Sequence, residues 1–377
     1  MRIIQASKIG NQNWKYFQDK IILKNPLVLV FGNRFLLEKE EIINEIRKEF
    51  PYEHIVFGST AGEILCCNVT ESSLSVTAIE FEKGHFIVER ENVLNYNKDA
   101  QKLGKVLYDK ISKENLKHLF VLSEGSFVNG SSLISGLEET INPSVSITGG
   151  MCGDDARFER TVASYKENPK EGEVILIGFY GETLEVSYAS FGGWIPFGPE
   201  RIITKSEANI LYEIDGQSAL DLYKKYLGDK AKKLPQASLL YPLNVTPQGK
   251  KEPVVRTILR INNEDNSMIL AGDVPENSKV QLMMASVDGI ATGAQHAAEF
   301  AMKNRVHKPD LALVVSCIGR KLVMNQRVEE ELEHVREVVG EKIPMAGFYS
   351  YGEMAPFNGS TTCELHNQTM TLTLISE

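Results

Sequence analysis

SITGGMCGDD, at residues 146–155, contains a glycine-bracketed loop, 149–154, that ends on an acid. Two similar loops are GSTAGE at 58–63 and GFYSYGE at 347–353, the last being one residue longer. Glycines at strand ends let the backbone adopt positive φ and approach a ligand closely. Because the loop occurs in three copies, each with an acid after its second glycine, a shared origin is favoured over chance.

Each loop follows a short apolar strand, an amphipathic helix and a second strand. The first strands are 27–31, 119–122 and 311–315. Apolar residues recur at i, i+1, i+4 and i+8 on the first two helices, and the third helix has a similar stripe, so each helix packs one face on a sheet. These residues are Ile42, Ile43, Ile46 and Phe50; Leu133, Ile134, Leu137 and Ile141; and Val328, Leu332, Val335 and Val339.

Strands with alternating apolar residues return after each loop, as in Leu74, Val76 and Ala78. The sequence therefore predicts an α/β fold with mixed sheets, repeated strand-helix-strand units and two domains. We place the domains at 1–205 and 206–377, with a boundary near 204–209. A separate region, from 202 to 306, with strand-like segments and a helix from about 290 to 303, lies between the second unit and the third.

Composition narrows the classes of function. The 377 residues carry 41 Lys and Arg against 50 Asp and Glu, a net charge of -9, so no broad basic surface is available for a nucleic acid. No apolar run approaches the roughly 18 residues of a membrane span, and the N-terminus lacks a secretory signal. Five cysteines, an odd number, fit a reducing compartment, so we expect a cytoplasmic protein.

Several motifs together resemble the FIST family of sensory proteins. The resemblance runs from about residue 25 to the end of the chain, so the 1–205 part is FIST N-like and the 206–377 part FIST C-like. The motifs are FGSTAGEI (57–64), SITGGMCGDD (146–155), GGWIPFGP (192–199), LYEIDGQSALDLYKKYLG (211–228), SCIGR (316–320), GFYSYGEM (347–354) and ELHNQTMTL (364–372).

The resemblance implies a sensor of a small ligand for intracellular signal transduction. It is closest to the stand-alone subgroup that senses nitric oxide through haem b and regulates a partner histidine kinase in a two-component system. The alternative is a sensor of an amino acid or other small metabolite without haem. An amino-acid site would be small, with an arginine facing the carboxylate and an acid facing the ammonium group.

Three residues are candidates for a haem site. His366, in the C-terminal motif, is the first candidate for an axial metal ligand, or else a histidine satisfied by neighbouring strand groups. His296 lies on a helix rich in alanine, a face suited to a flat macrocycle or to packing on a sheet. Arg320 follows a glycine at a strand end, where it would bind a propionate or another carboxylate, or form a salt bridge. The other five histidines, His118 among them, are interpreted as solvated surface.

The three glycine loops are expected to converge on one ligand pocket. Tyr349, Tyr351 and Glu353 offer aromatic walls with polar anchors, and alanine at Arg320 or Glu353 is expected to weaken binding without changing the melting temperature. Cys152 is either a reactive thiol or a packed one. The predicted pocket comprises Gly58, Ser59, Thr60, Gly149, Cys152, Gly347, Tyr349, Tyr351, Glu353 and Asn367.

The motifs do not favour an enzyme. A cysteine or serine hydrolase would use Cys152 or Ser59 with a distant histidine, yet Gly58-Ser59-Thr60-Ala61-Gly62 lacks the G-x-S-x-G arrangement of a nucleophile elbow. Phosphate-loop and dinucleotide fingerprints are also missing from the sequence. We therefore expect a binding protein.

Overall fold

Three six-stranded sheets and one eight-stranded sheet form the computed structural model, which describes residues 1–377. The chain builds three repeats of similar connectivity and a β-rich insertion within the third. The first repeat contains β1 (Arg2–Ile9), β2 (Lys15–Tyr16), β3 (Leu27–Gly32), α1 (Arg34–Leu37), α2 (Glu40–Glu49), β4 (His54–Ser59), β5 (Glu63–Leu65), β6 (Asn68–Thr70) and β7 (Ser73–Glu80).

The second repeat has the same plan, with an added helix before its central strand. It contains β8 (His85–Asn92), α3 (Ala100–Lys110), β9 (Leu116–Ser123), α4 (Gly130–Glu138), β10 (Ser146–Met151), β11 (Ala163–Tyr165) and β12 (Glu173–Tyr180).

The third repeat begins with β13 (Glu185–Phe191) and is then interrupted. The insertion contains β14 (Ile195–Glu207), β15 (Ile210–Ile214), β16 (Gln217–Ser218), α5 (Ala219–Leu227), β17 (Leu243–Thr246), β18 (Val254–Arg256), β19 (Ile258–Asn262), β20 (Ser267–Leu270) and β21 (Lys279–Met284). The repeat resumes with α6 (Val287–Met302), β22 (Leu311–Cys317), α7 (Ile318–Met324), α8 (Glu330–Val339), β23 (Met345–Ser350), β24 (Gly352–Pro356), β25 (Cys363–His366) and β26 (Met370–Ser376).

The three repeats share one strand order. Their central strands run β4-β3-β7-β1, β10-β9-β12-β8 and β23-β22-β26-β13. In each sheet the first two strands are parallel and joined by a helix, while the third is antiparallel to the second. A parallel pair needs such a crossover, because two parallel strands cannot be joined by a tight turn. The predicted fold class, with its repeated strand-helix-strand units, is confirmed.

The repeats exchange strands in a closed cycle. After its parallel pair, the first repeat sends β5 to the sheet of the third, where it pairs with β23. The third repeat sends β24 to β10 of the second, and the second sends β11 to β4 of the first. Each repeat therefore adds a strand beside the parallel pair of another, which covers the edge of that pair and links the three repeats.

One apolar core lies where the inner faces of the three sheets meet. Leu29, Leu122 and Leu313 point into it from the three central strands, and the rings of Phe31 and Phe348 meet there at 4.7 Å between centroids. Alternate residues of the same strands face outward and pack under the helices, as the two-residue period of a strand requires. None of the helices is long and apolar enough to cross a membrane.

The insertion docks on the carboxyl-end side of the repeats through a few buried polar contacts. The Arg256 guanidinium donates to the carbonyl oxygen of Leu365 in the third repeat (2.7 Å) and, within the insertion, to that of Asp273 (3.0 Å). The Gln368 amide donates to Leu239 O and to the Thr257 hydroxyl. These contacts place the β19–β20 hairpin opposite the loop that follows β9.

Candidate functional site

A cleft of about 290 Å³ opens at the carboxyl ends of β9 and β10. The carboxyl ends of parallel strands are the usual place for a ligand in an α/β sheet, because the loops there leave the sheet in diverging directions. One wall is the loop 125–129 with Met151, Phe158 and Tyr351, and the other belongs to the insertion. The lining from the insertion is Asn209, Leu259, Arg260, Ile269, Leu270, Ala271 and Gly272.

The loop after β9 is held in shape by one buried carboxylate. Glu124 accepts hydrogen bonds from the backbone N–H groups of Ser126 (2.6 Å) and Phe127 (2.8 Å), and from the Thr161 hydroxyl. At the end of the loop, Asn129 caps α4 by accepting from Ser132 N–H at 3.0 Å. Because Glu124 is engaged by its own loop, its carboxylate does not line the cleft, which receives the apolar Phe127 and Val128 together with Ser126 and Asn129.

An aromatic pair forms part of the same wall. The rings of Phe158 and Tyr351 stack at 4.3 Å between centroids and 18° between planes. The Tyr351 hydroxyl accepts from Phe158 N–H at 3.0 Å and donates to Asp155 O at 3.2 Å. Burial raises the pKa of Tyr351, so the phenol stays neutral and serves as a fixed wall.

The insertion contributes the charged side chain of the cleft lining. Arg260 on β19 is solvent-exposed and forms no hydrogen bond or ion pair with the protein, so its guanidinium is free to bind a ligand. Arg256 lies beneath the cleft, since a Cβ added at Gly272 would stand 3.0 Å from its guanidinium carbon. Burial lowers the pKa of Arg256 to about 10, which still leaves it charged at neutral pH.

The structure does bring the three predicted glycine loops together. The loop of the first repeat bonds to that of the third, through Ala61 N–H to Tyr349 O and Tyr349 N–H to Gly62 O, both 2.8 Å. Gly153 N–H donates to Ser59 O at 2.9 Å, and Tyr351 N–H to Met151 O at 3.1 Å. The three loops form a continuous backbone network at the centre of the repeats.

Most of the predicted pocket residues lie inside that network and do not line the cleft. These residues are buried: Gly58, Ser59, Thr60, Gly149 and Cys152. A Cβ at Gly149 would clash with the Val121 carbonyl, so this glycine allows two parallel strands to pack closely rather than admitting a ligand. Burial raises the pKa of the Cys152 thiol, which makes this cysteine a packed one. Among the predicted pocket residues, Tyr351 lines the cleft.

The structure corrects the role expected of Arg320. Its side chain is completely buried and pairs with Glu331 at 2.7 Å, while other donors bind the carbonyls of Gly192 and Ile290. The Tyr349 hydroxyl donates to the same Glu331 carboxylate, as does Ser316 at 3.1 Å. All of these groups are satisfied within the protein, so Arg320 and Tyr349 stabilise the fold.

Glu353 and Asn367 are also internal, and Gly347 lies buried in β23. Glu353 accepts from the Ser350 hydroxyl and from both the backbone and the hydroxyl of Thr369, at 3.1 and 3.0 Å. Burial raises the pKa of Glu353 to about 8, and of Glu63 in the first repeat likewise to about 8. The Asn367 side chain accepts from Thr257 N–H at 3.3 Å, so it holds the insertion in place.

The predicted haem ligands do not form one site. The His366 Nε2 lies 3.0 Å from Ala355 O, and its buried ring packs edge-on against Phe357 at 5.0 Å. Burial lowers the pKa of His366 to about 4, so it is a neutral, satisfied histidine. His296 is exposed on α6 beside Phe191. With Arg320 committed to Glu331, the donors chosen from the sequence do not fit a haem.

One histidine interpreted as surface is buried. His118 on β9 contacts Ser146 at 2.7 Å and Thr148 at 2.8 Å through its two ring nitrogens. Burial lowers its pKa to about 3, so the ring is neutral and structural. The charged residues beside it in the sequence gave the wrong signal, because neighbours along a strand face opposite sides. No three His, Cys, Asp or Glu side chains gather into a metal-binding cluster.

Sequence reasoning missed most of the cleft. The loop 125–129 follows the first strand of a parallel pair, whereas the repeated glycine motif lies after the second strand. The rule for carboxyl ends of parallel strands would have pointed to this loop. The residues of the insertion, such as Arg260 and Ile269, gave no comparable signal, since only the folded chain brings them opposite the repeats.

The structure is that of a mixed α/β protein with a cleft between its repeats and its insertion. The chain belongs to the FIST family: the FIST N domain matches residues 26–217 and the FIST C domain residues 219–356. FIST domains are sensory domains of signal transduction that bind small ligands. The two matched domains meet within the insertion, and the boundary at 205–206 stays a prediction.

Other relatives are distant. An uncharacterized protein of Methanocaldococcus jannaschii is 22% identical over 365 residues, which cover 84% of this chain and 68% of that protein. The crystal structure of a chorismatase aligns over 100% of this chain and 98% of its own, with 8% identity and a TM-score of 0.34. A TM-score this low does not establish a shared fold.

Proposed function

We propose that this FIST protein senses a small molecule bound in the cleft between the loop 125–129 and the β19–β20 hairpin. The observation that carries the proposal is the place of the cleft, between two parts of the chain that a ligand would join. A bound molecule would contact the repeats on one side and the insertion on the other. Its binding energy would therefore favour the conformation in which both sides are engaged.

The proposal is one of binding rather than of catalysis. The lining has aromatic and aliphatic walls with few polar groups, the usual composition of a small-molecule site. A nucleophile beside a base, which a hydrolase would need, is not among the lining residues. A signalling partner would read the position of the insertion, and a histidine kinase is one partner of this kind.

We do not extend the proposal to haem or nitric oxide, because His366, His296 and Arg320 do not fit such a site. An absorption spectrum of protein produced with ample haem supply tests this directly. A Soret band that persists through purification would revive the haem hypothesis with a different ligand.

Equilibrium dialysis against a metabolite mixture, read by mass spectrometry, tests the site itself. The wild-type protein is expected to retain a small molecule, and Leu259→Trp, which fills the cleft from a half-buried position, is expected to lose it. Leu240→Trp is the matched control, because Leu240 is partly exposed outside the cleft. Equal retention by wild type and Leu259→Trp would contradict the proposal.

A further inference from the structure

We infer that the ligand of this cleft is a small monoanion, a carboxylate carried on an apolar or aromatic body; the inference rests on the proposed function and names its ligand class. The first observation is the charge of the lining. Arg260 is the one charged side chain among the 15 lining residues, and none of them is acidic. A cationic ligand would therefore enter without a counter-charge, at a cost in desolvation.

A second positive charge also favours an anionic ligand. The Arg256 guanidinium lies against Gly272, a lining residue, and binds backbone carbonyls rather than a carboxylate. No carboxylate lines the cleft, and those close to its lining residues are engaged elsewhere, with Asp154 and Asp155 paired with Arg34 and Arg157. Glu124 is used by its own loop, and Asp273 accepts from the Asn129 amide at 3.2 Å without lining the cleft.

The N-terminal end of a helix adds to the positive electrostatic potential at the cleft. Asn129, the capping residue of α4, lines the cleft, so the positive end of the helix dipole lies at its rim. The helix runs for nine residues. A helix end alone would not define a site, but its partial charge is positive, like the charges of Arg260 and Arg256.

The shape and walls describe the rest of the ligand. A volume of about 290 Å³ is at the small end for ligand sites, so the molecule is of metabolite size. The stacked pair Phe158 and Tyr351 and the aliphatic Met151, Leu259 and Ile269 suit an apolar or aromatic group. An amino acid fits less well, because its ammonium group would find no acid in the lining.

Phenylacetate and its neutral isostere phenylacetamide test the inference, with phenethylamine and L-phenylalanine for comparison. Ligand-detected NMR titration of the whole chain is expected to show phenylacetate binding about 10-fold more tightly than the amide, as charge-assisted hydrogen bonds require. Arg260→Met should remove that preference and leave amide binding unchanged. Arg336→Met, on α8 outside the cleft, is the control.

Each result separates the inference from the proposed function. If the amide or L-phenylalanine binds as tightly as phenylacetate, the ligand class is wrong while the cleft stands, provided that Leu259→Trp abolishes binding. If phenylacetate still binds to Leu259→Trp, the cleft is not the site and both fail. Absence of phenylacetate binding at millimolar concentration also overturns the inference.

Discussion

The second and third repeats have the same strand order, but the space at the carboxyl ends of their parallel strands is filled differently. After β22 the chain turns directly into α7, and the Arg320–Glu331 pair with Tyr349 fills the space with buried, satisfied groups. After β9 an extended loop precedes α4, and the space stays open as the cleft. A repeated motif therefore predicts where a site can form, while the side chains decide which copy keeps one.

Removing the buried charge of the third repeat should give the largest effect. Arg320→Met leaves Glu331 buried without its partner, so the free energy of unfolding is expected to fall by about 3–5 kcal/mol. Arg260→Met, in the open repeat, should change it by less than about 0.5 kcal/mol. Denaturant unfolding of both variants checks the contrast. A loss for Arg320→Met no larger than that for Arg260→Met would show that the third repeat is not held by this pair.

The same substitution in two neighbouring tyrosines sharpens the contrast. Tyr349→Phe removes a hydrogen bond to a charged group and is expected to cost about 1.5–3 kcal/mol of stability, with ligand binding unchanged once the protein is folded. Tyr351→Phe removes neutral bonds to Phe158 and Asp155, so it should cost about 1 kcal/mol and also weaken binding, because it loosens the cleft wall. Thermal unfolding and the dialysis assay measure both. If binding were lost only in Tyr349→Phe, the ligand would bind in the third repeat and not in the cleft.

The buried acids of the glycine loops should make the free energy of unfolding depend on pH, whereas the lining of the cleft contains no acid. The pKa of Glu353 is about 8 in the folded chain, above its ordinary value of 4.5, so folding binds a proton between these pH values. The contribution of Glu353 to the free energy of unfolding is therefore fully present below about pH 4.5. It is lost as pH rises toward 8, by at most about 1.4 kcal/mol per pH unit. Glu353→Gln mimics the protonated acid.

Denaturant unfolding from pH 5 to pH 8 should therefore show a shallower decline for Glu353→Gln than for the wild type. Glu63→Gln, in the equivalent loop of the first repeat, is the matched variant, since burial raises the pKa of Glu63 to about 8 as well. Parallel curves for wild type and both variants would mean that neither carboxyl takes up a proton on folding.

The architecture could be predicted from the sequence better than the site could. The apolar spacing on α2 and α4 repeats because each helix must bury one stripe on its sheet, and this local rule predicted the strand-helix-strand units correctly. Glycine loops after β4, β10 and β23 were also expected to meet, as they do. Their role was misjudged, because a glycine permits close packing of two strands as readily as close approach to a ligand.

The cleft itself depends on contacts that no local pattern records. Arg320 on α7 and Arg260 on β19 are both arginines, yet one is completely buried against Glu331 and the other is free. The difference arises from residues far away in the chain, such as Gly192 and Ile290, whose carbonyls satisfy Arg320. The exchange of β5, β11 and β24 among the repeats is equally non-local, so it was not predicted.

Amide hydrogen exchange with and without the molecule retained in dialysis tests the central claim most directly. If the ligand joins the repeats to the insertion, protection should rise in residues 125–129 and in the β19–β20 hairpin, including 269–272, and little elsewhere. Protection confined to residues 316–320 and 347–353, or around His366, with the cleft unaffected, would contradict the account.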